Sequence, residues 1–504
     1  MSMSANTLSA EIHFAQLDEM RKAGGSASCT GLADDVIADF LPDYPLLGLA
    51  IQSAYDHFSN VCDSRPDFIA LSEEDQIEKA QEGFTNFYSE DAINPYVAAG
   101  AAGPWVVSLK GAVVYDCGGY GMLGFGHAPE SILNEMNQPH VMANIMTSSV
   151  SQMNFIASLR KEIGHTNPDS VPYASFICLN SGSESTSMAA RIVDINTKTM
   201  TDPGARYDNC EVRGLTLKGS FHGRTDQPAR YTDSTRGNYE EHLASYRDTQ
   251  FLHTVEPNNI ESLEAAFTAA ERDGEFIEAF FMEPVMGEGN PGQSITPEFY
   301  ARARALTKEH GSMFVIDSIQ AGLRAHGVLS IVDYPGFEDL DGPDMEAYSK
   351  ALNGGQFPLS VLALAECAAS IYRTGLYGNT MTTNPRGLDV AVAVLESFTP
   401  AFRKNIRVQG QALVDGLLNL QKELGDAVTG VQGTGLLLSC ELNSRYKCYG
   451  TNSTEDYLRK QGLGVIHGGA RSLRYTPVFA VSEKEIELIL QLTRDALING
   501  PKLQ

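Results

Sequence analysis

Between residues 150 and 390 the chain alternates short apolar runs with amphipathic segments, and this alternation limits the folds open to it. Apolar runs such as Tyr173–Leu179 and Met313–Asp317 are typical of strands buried on both faces. Strands that alternate with helices pair in parallel, because each connecting helix returns the chain to the same end of the sheet. The pattern therefore predicts an α/β fold with a mostly parallel sheet between helices.

Small and charged residues follow the predicted strands at the points where they end. In parallel sheets the carboxyl ends of the strands lie at one edge, where ligands collect. One such end is a common feature, but several in succession predict a binding site. The segments are Asn180–Ser185, Ser220–Thr225, Glu283–Gly289 and Asp317–Gln320.

Two residues in this region form a pair that one cofactor requires. Lys350 stands between Ser349 and a glycine turn, and Asp317 ends an apolar strand. Pyridoxal phosphate needs a lysine amine for its Schiff base and a carboxylate that keeps its pyridinium nitrogen protonated. Taken singly, Lys350 can be a solvated loop lysine and Asp317 an ordinary strand end. The neighbouring strand ends favour the cofactor.

Further positions suit an anionic, planar ligand. The turn with Gly182 and Ser183 precedes a predicted helix, whose free N–H groups and dipole attract phosphate, although a helix cap without a ligand has a similar sequence. Phe221 at a strand end can stack on a ring. Arg224 offers a planar fork for a carboxylate.

The acidic balance of the chain limits its partners. Lysine and arginine number 37 against 63 aspartates and glutamates, which gives a formal net charge of −26 over 504 residues. We therefore expect neither nucleic acid nor an anionic membrane as the main partner. No segment reaches the roughly 18 uninterrupted apolar residues that span a bilayer.

The 8 cysteines are scattered and include no CxxC pair. Free thiols in a reducing compartment are favoured, and neither zinc nor another metal is expected. The first residues lack the basic segment and apolar core of a secretory signal. A cytoplasmic location is predicted.

From about residue 103 to 495 the chain resembles the class III (ω-amino acid) aminotransferases, fold type I pyridoxal-phosphate enzymes. The order and spacing of its motifs agree with that family, closest to the 4-aminobutyrate, lysine 6- and ornithine aminotransferase group. The motifs are Ser181–Glu184, Phe221–Thr225, Glu283–Gly289, Asp317–Gly322, Ser349–Gly355, Asn379–Pro385 and Ser472–Pro477.

The resemblance implies three regions. Residues 103–394 would form the large cofactor-binding domain, with a mostly parallel, seven-stranded type of sheet between helices. Residues 395–504 would form a smaller α+β domain. Residues 1–102 match no pattern and are interpreted as an N-terminal extension or a segment of the small domain.

The resemblance also implies roles toward the cofactor. Lys350 would form the Schiff base and then move the proton between substrate and cofactor, and Asp317 would pair with the pyridinium nitrogen. Gln320 would hydrogen-bond the phenolic oxygen of the cofactor, and Phe221 would stack on its ring. The phosphate turn Gly182–Ser183 completes this set, together with His222 and Glu283 as neighbours.

One implied contact crosses between subunits. Thr380 would reach the phosphate bound by the other subunit. The resemblance therefore implies an obligate homodimer with shared active sites.

Substrate binding is implied for four residues. Arg224 would hold the carboxylate remote from the reacting amine, and Arg474 would hold the α-carboxylate of glutamate or 2-oxoglutarate. Glu288 would pair with Arg474 when an ω-amine is bound and swing away for the dicarboxylate. Tyr120 matches a substrate-contacting tyrosine of ornithine aminotransferases, or simply packs. For both arginines a structural ion pair is the alternative.

The implied activity moves the terminal amine of an ω-amino acid, of lysine, 4-aminobutyrate or ornithine type, to 2-oxoglutarate, which yields a semialdehyde and glutamate. A racemase, an aminomutase or a decarboxylating relative is the alternative within enzymes, and an inactive cofactor-binding regulatory protein is the alternative outside them. Arg474 and Glu288 favour the two-substrate transaminase. Departures from the family pattern at Ser318, Met286 and Thr382–Thr383 leave the amino donor open.

Overall fold

The computed structural model describes residues 9–88, 92–118, 121–168, 171–247 and 250–503. Its N-terminal part is helical and then forms three short strands. The bounds are α1 (Ala10–Lys22), α2 (Asp34–Phe40), α3 (Pro45–Ser64), α4 (Pro66–Ile69), α5 (Glu73–Gln81), β1 (Ala98–Ala102), β2 (Trp105–Ser108) and β3 (Val113–Asp116).

The central part of the chain alternates strands and helices. Its elements are α6 (Glu130–Met136), α7 (Val150–Glu162), β4 (Tyr173–Leu179), α8 (Gly182–Thr201), β5 (Glu211–Leu217), α9 (Asp226–Tyr231), α10 (Arg236–His242), β6 (Leu252–Val255), α11 (Ile260–Asp273), β7 (Glu275–Met282), α12 (Pro297–His310), β8 (Met313–Asp317), β9 (Met345–Tyr348), β10 (Ser360–Ala365), α13 (Glu366–Ile371) and α14 (Pro385–Glu396).

The central strands form one sheet in the order β4-β10-β9-β8-β7-β5-β6. Strands β9, β8, β7, β5 and β6 pair in parallel, and β10 runs antiparallel to both of its neighbours. The predicted α/β fold with a mostly parallel, seven-stranded sheet is confirmed. The predicted bounds of β4 and β8 agree with the structure residue for residue.

Strand β8 shows why the apolar runs are uninterrupted. Successive side chains of a strand point to opposite faces of the sheet. Val315 packs in the cluster that contains Met188 of α8, whereas Phe314 and Ile316 pack with Phe299 of α12. Because helices cover both faces, every position of the strand must be apolar until the strand ends at Asp317.

The C-terminal part is α+β, as predicted. A second sheet has the order β11-β12-β15-β14 and packs against helix α15. Within the described residues, no helix combines the length and the apolar character that a membrane crossing requires. The elements are α15 (Pro400–Leu424), β11 (Val428–Thr434), β12 (Leu437–Leu442), α16 (Thr454–Lys460), β13 (Leu463–Gly464), β14 (Ile466–Gly468), β15 (Ser472–Tyr475) and α17 (Glu483–Asn499).

The hairpin β2–β3 pairs with strands from the N-terminal and C-terminal parts of the chain and is not part of the central sheet. Strand β1 pairs with β2, and β13 from the C-terminal part pairs with β3. Trp105 of β2 is buried, with its ring 5.3 Å from the ring of Phe40 in the N-terminal helices. The proposed domain boundaries at 102 and 394 remain a prediction, and the hairpin packs with the terminal segments.

The turn between β2 and β3 carries a buried lysine that fixes the N-terminal helices. Lys110 is 4% exposed, and its Nζ donates to the carbonyls of Ile69 at 3.0 Å and Leu71 at 2.8 Å, and to that of Gly24. Burial lowers the pKa of this ammonium, and the nearby carboxylate of Glu73 opposes that shift.

We expect Lys110→Met to lower the free energy of unfolding by about 2–3 kcal/mol, because it leaves buried carbonyls without donors. Urea unfolding followed by circular dichroism measures the change. The matched control is Lys22→Met, since Lys22 is exposed and pairs with Asp18 on the surface of α1; its expected effect stays within about 0.5 kcal/mol. Equal losses in the two variants would refute this role for Lys110.

Candidate active site

The carboxyl ends of four neighbouring strands meet at a cleft of about 380 Å³. Because β9, β8, β7 and β5 are adjacent and parallel, the residues that follow them lie at one edge of the sheet. Lys350 follows β9, Asp317 ends β8, Glu283 follows β7, and Phe221 and His222 follow β5. The structure thus brings together the strand ends selected in the sequence.

Lys350 begins a short 3-10 turn, and its backbone has a φ of 48°. L residues rarely adopt this left-handed conformation, which persists only where the surroundings enforce it. Lys350 Nζ donates a hydrogen bond to Gln320 Oε1 at 3.0 Å. Burial lowers the pKa of the Lys350 ammonium to about 8, with Arg474 acting in the same direction and nearby carboxylates opposing it. A substantial fraction of the amine is therefore neutral near pH 8.

Asp317 is a buried carboxylate with a buried histidine beside it. Its Oδ2 lies 2.8 Å from His222 Nδ1, and its Oδ1 accepts the Ile319 N–H at 3.1 Å. The other ring nitrogen, His222 Nε2, lies 3.1 Å from Thr216 Oγ1. Both partners fix the carboxylate at the base of the cleft, and His222 acts there as a neighbour of Asp317.

Glu283 ties two loops of the site together. Its carboxylate oxygens accept the Phe221 N–H at 3.0 Å and the Gly287 N–H at 2.9 Å. Burial raises the pKa of Glu283 to about 7; the charge of His222 opposes the shift and that of Asp317 adds to it. This residue therefore holds the loop that carries Phe221.

The turn before α8 lies at one end of the cleft. Ser181 caps the helix, its side chain accepting the Glu184 N–H at 3.3 Å. The first N–H groups of a helix have no partner within it, so those of Gly182 and Ser183 are available to a phosphate. A Cβ on Gly182 would lie 2.7 Å from Ile319 Cδ1. A larger residue at position 182 would therefore have to displace the Ile319 side chain, which lines the same cleft.

The two arginines have different surroundings. Arg474, on β15, is buried and its Nη1 donates to the Gly287 carbonyl at 2.7 Å. Arg224 is more exposed, and its Nη2 lies 3.4 Å from Glu288 Oε1. Glu288 thus faces Arg224 here, and its pairing with Arg474 in a donor-bound state stays a prediction. Arg224 also lies over the ring of Phe221, with Cζ 5.3 Å from the centroid.

The residues that depart from the family pattern are all buried. Ser318 donates from its hydroxyl to Glu346, a fully buried carboxylate on β9 that also accepts the Tyr348 hydroxyl. Met286 is fully buried. Thr383 has a φ of 58°, a backbone conformation that glycine adopts more readily.

Four predicted site residues are not among those that line this cleft, namely Arg224, Glu288, Arg474 and Thr380. Thr380 is exposed and does not line the cleft, and its carbonyl accepts the Asn144 side-chain N–H at 3.1 Å. Tyr120 lies outside the described residues. The sequence reasoning also missed Ile319 and Phe357, which line the cleft. The position of Ile319 between Asp317 and Gln320 was an available signal.

These groups fit pyridoxal phosphate. The ligand needs an amine, a buried carboxylate, a flat apolar wall and a phosphate turn. Lys350, Asp317, Phe221 and the Gly182–Ser183 turn line one cleft and supply these features.

Comparisons with known proteins agree with the geometry of the site. The class-III aminotransferase family model matches residues 87–497. An acetylornithine aminotransferase of Neisseria meningitidis serogroup B is 29% identical over 414 residues, which cover 81% of this chain and 95% of that protein.

Solved structures share the fold. The ornithine aminotransferase of Toxoplasma gondii ME49 superposes with a TM-score of 0.71 at 20% identity, covering 87% of this chain and 98% of that one. The acetylornithine aminotransferase of Elizabethkingia anophelis gives 0.68 at 20% identity, covering 84% and 99%. With the family match over most of its length, the chain belongs to the class III aminotransferases, fold type I enzymes that use pyridoxal 5′-phosphate.

Proposed function

We propose that this enzyme transfers the terminal amino group of an ω-amino acid to 2-oxoglutarate. The amine nitrogen leaves the donor, whose carbon becomes the aldehyde of a semialdehyde, and joins the oxo carbon of the acceptor to give glutamate. The observation that carries the proposal is that the charges of Arg474 and Glu288 both act on Lys350, and that Glu288 lies 3.4 Å from a second guanidinium, that of Arg224. A five-carbon dicarboxylate needs two cationic partners, whereas an ω-amino acid brings one carboxylate.

Glu288 supplies the charge that lets one pocket take both substrates. A guanidinium that faces a methylene chain without a counter-ion is costly to bury. In the structure Glu288 lies against Arg224, 3.4 Å away. We propose that substrate carboxylates displace it from one arginine and that it then neutralises the other. The names of the relatives, acetylornithine and ornithine aminotransferases, support an ω-amine donor.

Pyridoxal phosphate, when bound, supplies an electron sink that stabilises the negative charge left on the substrate carbon after a proton is removed. We assign the removal and return of that proton to Lys350 Nζ, whose pKa of about 8 suits both steps. Asp317 would hold the protonated ring nitrogen, and its contacts with His222 and the Ile319 N–H fix its orientation.

The remaining cofactor contacts come from the walls of the cleft. We propose that the Gly182 and Ser183 N–H groups bind the phosphate and that the Phe221 ring covers one face of the cofactor. Gln320 accepts from Lys350 and donates to the Gly287 carbonyl at 3.3 Å, and we propose that it binds a cofactor oxygen beside the reacting amine.

An exposed apolar surface supports the proposed homodimer. Ile145 is 66% exposed and Met146 89%, and both lie in the segment 141–153 with other exposed apolar side chains. An apolar surface of this kind is typical of subunit contacts. Asn144 in the same segment bonds the carbonyl of Thr380, which lies outside its own cleft. We propose that Thr380 reaches the phosphate of the second subunit.

We also propose a cytoplasmic location. The 8 cysteines are free in the structure. Unpaired thiols persist in reducing compartments.

The test of the function is a spectral titration of the cofactor-loaded enzyme with single amines and no oxo acid. We expect ornithine, acetylornithine, lysine or 4-aminobutyrate to bleach the lysine-bound cofactor band near about 420 nm. Adding 2-oxoglutarate should restore the band, and Lys350→Ala should lower turnover by at least about 100-fold.

Bleaching by none of these donors would overturn the ω-amine proposal. Recovery of the band with pyruvate as efficiently as with 2-oxoglutarate would overturn the dicarboxylate acceptor. Full activity in Lys350→Ala would overturn the assignment of the proton to Lys350.

The Lys350 pKa predicts a pH dependence of cofactor uptake. Only the neutral amine attacks a carbonyl, and with a pKa of about 8 the neutral fraction rises with pH and reaches half at that pH. We expect the rate at which cofactor-free protein takes up pyridoxal phosphate to rise about tenfold per pH unit below this value and to level off above it. Stopped-flow absorbance measures the rate.

Arg474→Leu should move this profile to higher pH, because the Arg474 charge lowers the Lys350 pKa. The control is Arg304→Lys, since Arg304 pairs with Asp344 at the opposite end of β9. A profile that does not change with pH, or an equal displacement in the two variants, would rule out this account.

The dimer proposal predicts that Met146→Asp weakens self-association. A charge in place of a side chain of this size removes about 1.5–3 kcal/mol of burial per subunit, which raises the dimer dissociation constant at least about tenfold. Sedimentation measures it. The control Val408→Asp changes a side chain of α15 that is 50% exposed. An unchanged dissociation constant in Met146→Asp would show that this surface is not the interface.

A further inference from the structure

A buried arginine stands behind the candidate active site. Arg324 is 0% exposed and lies on the turn that follows Asp317 and Gln320. Among the described residues no carboxylate forms an ion pair with it, and burial lowers its pKa to about 10. The guanidinium is therefore charged at neutral pH and is held by neutral groups.

Three backbone carbonyls from three different segments bind this guanidinium. Nη1 donates to the Pro477 carbonyl at 2.6 Å and to the Leu436 carbonyl at 3.3 Å, and Nε donates to the Gly121 carbonyl at 3.4 Å. Pro477 follows the strand β15, Leu436 lies in the turn from β11 to β12, and Gly121 lies in the glycine-rich loop after β3. Arg324 therefore joins the small C-terminal sheet to the wall of the cleft.

The turn that carries Arg324 has a constrained backbone. Leu323 has a φ of 65°, and its N–H donates to the Val328 carbonyl at 2.8 Å. The Leu436 N–H donates to the Arg324 carbonyl at 3.1 Å, so Arg324 and Leu436 exchange two hydrogen bonds. Gly435 allows this approach, since a Cβ there would lie 1.7 Å from the Ala325 carbonyl oxygen.

The segment after β15 is also bonded to the glycine-rich loop. The Thr476 N–H donates to the Cys117 carbonyl at 2.8 Å, and the Phe479 N–H donates to the Gly124 carbonyl at 2.7 Å. The Arg324 guanidinium lies 5.0 Å from the centre of the Phe479 ring. The guanidinium thus sits at the junction of the two segments.

We propose that Arg324 is a positioning residue that sets the place of Arg474 relative to Lys350 and Gln320. Arg474 lies three residues before Pro477. The side chains of Arg474 and Gln320 both donate hydrogen bonds to the Gly287 carbonyl. The Arg324 guanidinium binds the Pro477 carbonyl, and Arg324 lies on the same turn as Gln320. Arg324 therefore fixes the distance between the Arg474 and Gln320 side chains. The inference rests on the proposed role of Arg474 as a carboxylate ligand.

The test measures binding of glutarate, a dicarboxylate with neither an amine nor an oxo group, to the cofactor-loaded enzyme by calorimetry. We expect Arg324→Gln to raise the glutarate Kd about tenfold or more, and Arg324→Lys at least about threefold, because lysine lacks the planar fork that reaches several carbonyls. The thermal unfolding midpoint of each variant is measured in parallel. If Arg324→Gln does not fold, Arg324→Lys carries the test.

Arg304→Lys is the matched control for general destabilisation. It removes a buried guanidinium that pairs with Asp344 at 2.8 Å, at the amino end of β9 and away from the cleft. We expect a lower unfolding midpoint with an unchanged glutarate Kd. If both Arg324 variants leave the Kd unchanged, or if Arg304→Lys raises it equally, the positioning role is wrong.

Arg474→Lys separates this inference from the proposed function. If Arg474→Lys binds glutarate as tightly as the wild type does, the assignment of Arg474 has failed, and the role of Arg324 fails with it. If Arg474→Lys weakens glutarate and the Arg324 variants do not, only the positioning role fails. Weakening in both positions supports the two proposals together.

Discussion

A lysine amine stays protonated in water near neutral pH, so a site that needs it neutral must bury it, and the other groups of the cleft follow from that constraint. Burial and the charge of Arg474 lower the Lys350 pKa to about 8. Buried carboxylates, Asp317 and Glu283 among them, oppose the shift and supply the negative charge that balances the arginine. These charges are tolerable in the interior only because each has fixed hydrogen-bond partners.

The same carboxylates also shape the loops. Glu283 accepts N–H groups from the Phe221 and Gly287 loops, and Glu346 accepts the hydroxyl of Ser318 beside Asp317. These buried carboxylates thereby also fix the backbone segments that carry the neighbouring side chains of the site. The role proposed for Arg324 is the equivalent one for a buried cation, because its single guanidinium binds three backbone carbonyls.

Much of the fold could be predicted because its signals are local. The bounds of β4 and β8 follow from apolar runs closed by polar residues, and the helix after Ser181 follows from a capping serine and a glycine. The partner strands of the hairpin β2–β3 could not be predicted, since β1 and the two-residue β13 carry too little pattern.

The sequence by itself determined the chemistry: a lysine after one strand, an aspartate at the end of another and a glycine turn before a helix, which parallel topology must bring to one edge. Only the tertiary structure decided which charges face one another. It placed Glu288 beside Arg224 and directed the Arg474 guanidinium to the Gly287 carbonyl. It also let Arg324 donate hydrogen bonds to three different segments. Long polar side chains reach several partners from one backbone position, so their contacts depend on the packed surroundings rather than on spacing.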